Sequence, residues 1–410
     1  MKRLLAAVIS ILLIASLTLS LVSCEDADTT DYKADNAAIS TEIIAVTTSP
    51  NNDDTTSSRV RKTTTSKMKR KINSNLQAWL EKKMEDNNFN GIVRVSKKGK
   101  VICEAVNGTI STKSKKEIKK DTMFAIASCS KQFTAAGIML LKQDGKLSVN
   151  DKLSKFFPKY EYGKKITVKN LLTMRSGIPD FLNEQSSFKK YNIKKTANER
   201  KNRVLTKKWI LSQDLKFTPG GMYDYNNSNY FLLAEIIEVV SGESFADFMR
   251  ERFFEPLGMY DTDVNEELAY NDRLAVSDVD PSDLPGIDEN KQPLTIRVRG
   301  LNVGNGGLIS TAEDIDKWLT SLRTNKILTK KSVKEMSTDH NKDWEHYGYG
   351  LKTIKKDGAV WHVGALDYYG SFTYTIPSKG YNFFAVTNDK KSMNTDIYSF
   401  SFDIINKTKK

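Results

Sequence analysis

The sequence is poor in the residues that build metal centres and disulfide frameworks. Its 410 residues contain three cysteines and three histidines. It has no Cys-x-x-Cys pair and no His-Glu-x-x-His pattern, which are spacings that place ligands around zinc. Cys24 lies in an N-terminal leader, and the remaining pair, Cys103 and Cys129, is too small for a disulfide framework. We therefore expect buried free thiols and no metal site, and the sequence implies no organic cofactor.

Basic residues outnumber acidic ones, giving a net charge of +13. Such a balance fits either nucleic acid or the anionic polymers and lipids of a cell envelope. The N-terminus favours the envelope, because Met1-Lys2-Arg3 is followed by an uncharged apolar run over 4–21. This is the layout of a secretory signal, so we expect an exported protein and no nucleic-acid partner.

The end of the leader, Leu21-Val22-Ser23-Cys24, resembles a bacterial lipobox. In a lipobox the cysteine is diacylated and becomes the new N-terminus after cleavage. Each buried CH₂ of such an anchor is worth about 0.8 kcal/mol, so a diacylglycerol can hold a soluble domain at a membrane. The alternatives are a plain signal peptide, or a spanning helix with Cys24 incidental. We predict a lipoprotein signal peptide over 1–23 and attachment to the outer face of the bacterial membrane.

The next stretch, 24–67, is rich in Thr, Ser, Asp and Asn and has too few apolar residues to form a hydrophobic core. We predict a disordered tether there and a catalytic domain over 68–410. That domain opens with apolar residues at helical spacing, which predict an amphipathic helix. They are Ile72, Leu76, Trp79, Leu80 and Met84.

Strand patterns lie at both ends of the domain. Runs over 91–96 and 101–106 flank Lys97-Lys98-Gly99-Lys100 and predict a β-hairpin. Three more strands are predicted over 358–363, 371–376 and 381–387, followed by an amphipathic C-terminal helix. The middle of the chain, about 120–330, is predicted to be mainly helical and rich in loops. This order indicates an α+β domain, with one antiparallel sheet completed by both ends of the chain.

Ser128-x-x-Lys131 precedes a long helical pattern. A serine hydroxyl at its ordinary pKa is a poor nucleophile and needs a base. With Ser128 at the helix start, Lys131 lies one turn on, and a buried lysine can lose its proton. Taken alone, the pair is better explained as a helix N-cap serine beside a surface lysine.

Two further pieces follow along the chain. Tyr225-x-Asn227 is predicted on a loop before an apolar helix, where a phenol can relay a proton and an amide can hold substrate. His362-x-Gly364-Ala365 ends a predicted strand. Gly364 would let a substrate backbone approach, and the Ala365 N–H could join that of Ser128 in an oxyanion hole.

In this order the three pieces resemble the motifs of serine β-lactamases and penicillin-binding proteins. Flanking segments are similar to the class C β-lactamase and DD-peptidase-related branch, and the similarity runs from about 75 to 405. They are Leu171-Leu172-Thr173-Met174-Arg175-Ser176-Gly177-Ile178-Pro179, Phe254-Glu255-Pro256-Leu257-Gly258-Met259 and Gly306-Gly307-Leu308-Ile309-Ser310-Thr311-Ala312-Glu313-Asp314.

The resemblance implies an antiparallel sheet flanked by helices, with the N- and C-terminal helices on one face, plus an all-helical subdomain bearing the tyrosine motif. It implies an acyl-enzyme on Ser128, proton transfer by Lys131 and Tyr225, and substrate binding by Asn227, His362, Gly364 and Ala365. Two departures stand out. His362 replaces the lysine of many β-lactamases, which weakens the case for an efficient β-lactamase, and Met174 replaces a common histidine.

The substrate stays open between wall peptides ending in D-amino acids, β-lactams and small esters. A catalytically idle wall-binding lipoprotein of the same fold is the alternative from another class. The sequence indicates no oligomeric state.

Overall fold

The computed structural model describes residues 74–111, 114–183, 199–264, 272–276, 302–341, 345–366, 369–389, 392 and 397–409. All of these belong to one compact unit, Lys67–Lys410. The predicted signal peptide, the lipidated Cys24 and the tether over 24–67 lie outside the described residues and stay predictions. None of the described helices is long and apolar enough to cross a membrane.

Nine strands are described. They are β1 (Gly91–Lys97), β2 (Lys100–Asn107), β3 (Phe124–Ala125), β4 (Asp263–Val264), β5 (Leu308–Ser310), β6 (Lys352–Ile354), β7 (Ala359–Leu366), β8 (Tyr369–Ile376) and β9 (Tyr381–Thr387). Six of them form one antiparallel sheet in the order β2-β1-β9-β8-β7-β6. The first and last parts of the domain therefore meet at the β1–β9 pair, in which Val93 lies opposite Ala385.

The α-helices among the described residues are α1 (Ser74–Asp86), α2 (Lys131–Gln143), α3 (Val168–Leu172), α4 (Glu199–Ile210), α5 (Asn227–Ser241), α6 (Phe245–Met249), α7 (Glu255–Leu257), α8 (Ala312–Thr324), α9 (Lys330–Met336) and α10 (Ile397–Thr408). A π-helical segment, Arg250–Phe254, joins α6 to α7. The predicted first helix is therefore α1 as far as it is described, and the predicted last helix is α10.

The predicted hairpin is confirmed by β1 and β2, which pair from Gly91 opposite Asn107 to Lys97 opposite Lys100. Its turn places Lys98 and Gly99 at φ of 54° and 75°. Two consecutive residues in the left-handed region match the right-handed twist of the strands, which is why a glycine stands there.

Each face of the sheet packs against helices. On one face α1 and α10 bury a shared apolar layer, in which the rings of Phe89 and Phe400 stack at 4.4 Å. The opposite face contacts α2 and α8, where Phe133 packs 4.5 Å from Trp318. Sheet residues alternate between the two layers, since successive side chains of a strand point to opposite faces. The predicted α+β fold, with both terminal helices on one face, is confirmed.

Two features are not among the predicted elements. The short strand β6 pairs with β7 and adds a sixth strand at the edge. A second sheet, in the order β3-β5-β4, ties the segment before Ser128 to the chain around 309. β3 ends three residues before Ser128, so this sheet anchors the segment that leads into α2.

Candidate active site

Ser128 lies in a 3-10 turn, Ala127–Ser130, that runs directly into α2. Its side chain is partly exposed, whereas the neighbouring Ser130 is 1% exposed and accepts a hydrogen bond from the Leu308 N–H at 3.1 Å. Ala127 has a φ of 46°, a region that costs a non-glycine residue free energy and that recurs at functional sites. The chain therefore turns sharply at the serine and presents Ser128, not Ser130, to solvent.

Lys131 is fully buried and makes three hydrogen bonds through its Nζ. It donates to Ser128 Oγ at 3.1 Å, to Asn227 Oδ1 at 2.9 Å and to the Asn305 carbonyl at 2.7 Å. Burial of the ammonium lowers the pKa of Lys131 to about 7, while the Asp180 carboxylate acts in the opposite direction. Both protonation states are thus accessible near neutral pH.

The three contacts accommodate the ammonium, which can donate to all three oxygens, and they also accommodate the neutral amine. A neutral Lys131 has two N–H donors and one lone pair, and both Asn227 Oδ1 and the Asn305 carbonyl can only accept. If these two oxygens take the N–H groups, the lone pair points at Ser128 Oγ. The geometry therefore aims the lysine as a base at the serine proton.

Tyr225 lies beside this pair. The Lys131 Nζ is 5.0 Å from the centre of its ring. Burial raises the pKa of Tyr225, and a hydrogen bond with the Ser128 side chain opposes the rise. The phenol therefore keeps its proton at neutral pH and can donate it.

Asn227 does not lie on the loop, as the sequence suggested, but is the first residue of α5, and Asn226 caps the helix. The cap side chain accepts from the Asn229 N–H, which satisfies one free donor of the first turn. Because Asn227 lies in this first turn, its amide faces Lys131 on one side and Asp180 on the other. Sequence reasoning missed Asp180, which follows Gly177-Ile178-Pro179 and looks there like an ordinary turn residue.

His362 is 1% exposed and does not line the cavity next to Ser128. Its Nδ1 donates to the Val363 carbonyl at 2.7 Å, so Nε2 accepts from the Tyr347 hydroxyl at 3.2 Å. Burial and the nearby Lys131 lower the pKa of His362 to about 3. The histidine is thus neutral, and in this structure its contacts are with the protein rather than with the cavity.

Gly364 has a steric reason to be glycine within the protein itself. A Cβ there would lie 2.4 Å from Ser371 Oγ, 2.5 Å from the Ile126 carbonyl oxygen and 3.0 Å from the Ser128 N. The absent side chain makes room for the protein's own turn, and β7 thereby comes close to the backbone of Ser128. The next residue, Ala365, is exposed and lines the cavity, as its predicted place in an oxyanion hole requires.

A cavity of about 250 Å³ opens at Ser128. Its apolar side includes Leu182, Val363 and Leu366, and its polar side includes Asn302 and Asn305. None of the described residues that line it carries a formal charge, and Lys131 lies just behind it. In the same described part of the chain, no group of three or more His, Cys, Asp or Glu side chains could hold a metal ion.

Met174 and the two cysteines of the domain have structural surroundings. Met174, which stands where the family commonly has histidine, has a φ of 59°, and its Sδ accepts from the Asn226 N–H at 3.4 Å. The thioether thus supports the helix cap before Asn227. Cys103 and Cys129 are free and buried, and burial raises the pKa of Cys129 to about 11. A thiol in that state is unreactive.

Comparison with known proteins points to one family. Residues 76–400 match the family described as Beta-lactamase. The chain is 34% identical to Penicillin-binding protein 4* of Bacillus subtilis over 214 residues, which are 52% of this chain and 45% of that protein. This chain spans about half the length of the curated relatives it matches.

Solved structures share the fold. The octameric penicillin-binding protein homologue from Pyrococcus abyssi superposes with a TM-score of 0.66 at 25% identity, over 81% of this chain and 77% of the other. A D-amino acid amidase from Ochrobactrum anthropi superposes with a TM-score of 0.65 at 23% identity, over 82% and 99%. The fold predicted from the three motifs is therefore the fold of these proteins.

Proposed function

The chain belongs to the Beta-lactamase family, and from that premise we propose that it is a serine hydrolase that works through an acyl-enzyme on Ser128. The observation that carries this proposal is the hydrogen bond from a fully buried Lys131 to Ser128 Oγ. A lysine with a pKa of about 7 can act as a base near neutral pH, whereas an exposed lysine cannot.

In the acylation step, Ser128 Oγ attacks the substrate carbonyl carbon and passes its proton to Lys131. The developing oxyanion is held by the N–H groups of Ser128 and Ala365, and one such donor contributes about 10²-fold or more in rate. Tyr225 then protonates the leaving group as the carbon–heteroatom bond breaks, and takes up the proton that Lys131 holds. The enzyme ends acylated on Ser128 with Lys131 neutral and Tyr225 protonated again, and the serine proton has left on the leaving group.

Deacylation repeats the chemistry with water or another nucleophile as the attacking group. Lys131 takes the proton from that nucleophile, and Tyr225 donates a proton to Ser128 Oγ as the ester bond breaks and takes up the proton that Lys131 holds. The neutral lysine and protonated tyrosine from which both steps begin are present near neutral pH, because burial lowers the pKa of Lys131 and raises that of Tyr225.

For the substrate we propose a penicillin-binding-type reaction on an amide or peptide with a D-amino acid, in the bacterial cell envelope. The names of the penicillin-binding relative and of the D-amino acid amidase with the same fold support this class. The lipobox-like Leu21-Val22-Ser23-Cys24 supports the location.

A small ester is the second candidate, and one observation favours it. His362 is neutral and buried where many β-lactamases carry a lysine, and the described lining of the cavity has no cation. A free carboxylate on the substrate, as in a penicillin or a peptide C-terminus, finds no charged partner among these residues. An ester with a neutral leaving group needs no charged partner in the cavity.

Intact-mass spectrometry tests the proposal. The protein is incubated separately with a labelled penicillin, a peptide ending in D-Ala-D-Ala and p-nitrophenyl acetate. We expect a mass increase equal to the acyl group with at least one of them, absent in Ser128→Ala. Reversible binding of wall polymer, with no adduct from any of the three, would instead favour an idle wall-binding protein.

A further inference from the structure

We propose that Asp180 is a positioning residue of this reaction, whose carboxylate holds the Asn227 amide so that its oxygen, and not its nitrogen, faces Lys131. The inference rests on the proposed function, because it assumes that Lys131 is the base for Ser128.

The Asp180 side chain is 3% exposed and accepts four hydrogen bonds. Its Oδ2 accepts from Asn227 Nδ2 at 2.9 Å and from Asn183 Nδ2 at 3.0 Å. Its Oδ1 accepts from the Leu182 N–H at 3.2 Å and from the Asn227 N–H at 3.3 Å. Burial raises the pKa of the Asp180 carboxyl, but all four hydrogen-bond partners are donors and Lys131 opposes the rise. A carboxyl proton would have no acceptor among these partners, so the hydrogen bonds favour the ionised acid.

Asn227 is therefore held from both ends. Its Nδ2 donates to Asp180 and its Oδ1 accepts from Lys131 at 2.9 Å. An asparagine amide is nearly symmetric in shape, so its orientation is decided by its partners. Because a carboxylate only accepts, Asp180 forces the nitrogen toward itself and leaves the oxygen for the lysine.

The orientation matters for the base. With the oxygen toward Lys131, the neutral amine donates to Asn227 and Asn305 and keeps its lone pair for Ser128. In the flipped orientation, Asn227 Nδ2 would offer a proton to that lone pair and compete with the serine. Asp180 thus acts on catalysis through Asn227 without touching Ser128.

Asp180 also supplies charge. Among the described residues, the titratable groups that interact with or contact Lys131 are Cys129 on its own segment, Tyr225 before α5, Tyr230 on α5, His362 on β7 and Asp180. Burial raises the pKa of the thiol and of both phenols and lowers that of the histidine, so these four are neutral near pH 7. The carboxylate is the one anion in this set, and it favours the protonated lysine.

The test is the pH profile of Ser128 acylation in Asp180→Asn, measured with p-nitrophenyl acetate and, by intact mass, with a labelled penicillin. The substitution removes the charge and lets the Asn227 amide flip. We expect the plateau rate to fall about 10- to 100-fold, as for a misaligned catalytic group. The acid limb should move to lower pH by about one unit, the size expected when a nearby opposite charge is removed.

Asn183→Ala is the matched control, because Asn183 donates to the same carboxylate but contacts neither Lys131 nor Asn227 in the described contacts. Its plateau should stay within about twofold and its acid limb should not move. If circular dichroism shows that Asp180→Asn does not fold, Asp180→Glu tests the proposal instead. Glutamate keeps the charge but displaces the oxygens, so its plateau should fall with the acid limb in place, and an undiminished plateau would overturn the proposal.

A folded Asp180→Asn in which only the plateau or only the acid limb changes also overturns it, since a purely structural role predicts the first alone and a purely electrostatic role the second. Failure of the proposed function looks different: there the Ser128→Ala protein turns over the same substrates as the wild type.

Discussion

Gly364→Ala probes the contact between β7 and the nucleophile turn. The added methyl would meet Ser371 Oγ at 2.4 Å and the Ile126 carbonyl oxygen at 2.5 Å. The serine oxygen cannot simply rotate away, because it donates to the Ile126 carbonyl at 2.6 Å and contacts Cys129 Sγ at 3.2 Å. The backbone oxygen cannot rotate at all. Either β7 or the 3-10 turn must therefore move by several tenths of an ångström.

Such overpacking of a close contact costs about 1–3 kcal/mol of stability. The effect on acylation should be larger, because the displaced elements carry the N–H groups of Ser128 and Ala365. Losing the alignment of one oxyanion donor costs about 10²–10³-fold in rate. We expect stopped-flow acylation by an activated ester to slow by about that factor, with a modest drop in melting temperature.

Two controls separate misalignment from loss of stability. Gly358→Ala lies in an exposed turn at a φ of 67° with no atom within 4 Å of the new Cβ. It should lose about 1 kcal/mol through backbone strain alone and acylate normally. The double variant Gly364→Ala with Ser371→Ala removes one clash but leaves the Ile126 carbonyl, so rescue should be incomplete. Normal acylation by Gly364→Ala would refute this account of the oxyanion hole.

Three further predictions concern the base, the proton relay and the leader. If the neutral Lys131 is the base as proposed, kcat/KM should rise with pH through about 7, because burial lowers the pKa of Lys131 to about 7, and should fall about tenfold per unit below it; a rate that rises as the pH falls would contradict this. Tyr225→Phe should lose about 10²–10⁴-fold in turnover while retaining substrate binding, as judged by fluorescence titration; an equal loss of binding would contradict the proposed role of Tyr225 in proton transfer. Cys24→Ala should release the protein from the membrane fraction or block its processing, and a mutant that stays bound with the normal mature mass would exclude the lipid anchor.

The helices and strands with clear local sequence patterns could be predicted from the sequence. The hairpin of β1 and β2 has its turn residues in sequence beside two apolar runs, and the strands β7 to β9 follow one another along the chain. The strand β6 spans three residues, two of them polar or charged, and its place depends on pairing with β7. The sheet of β3, β4 and β5 joins segments more than 100 residues apart, which no local pattern reveals.

Part of the candidate site could likewise be predicted from the sequence, and part of it could not. Ser128, Lys131, Tyr225 and Asn227 were found from motif spacing, and the structure brings all four together. Which way His362 faces could not be read from a strand bounded by loops, since a shift of one residue reverses every side chain. Asp180 was missed because its role depends on a contact with Asn227, 47 residues away in the chain.

Peptide mapping of the trapped acyl-enzyme tests most directly whether Ser128 is the nucleophile. The wild type, Ser128→Ala and Ser130→Ala are each incubated with the acylating substrate, digested and sequenced by mass spectrometry. Ser130 is the matched control, because it lies two residues on but is buried and bonded to the Leu308 N–H. The account predicts a label on Ser128 in the wild type and in Ser130→Ala, and none in Ser128→Ala. A label on Ser130, or undiminished turnover in Ser128→Ala, would contradict it.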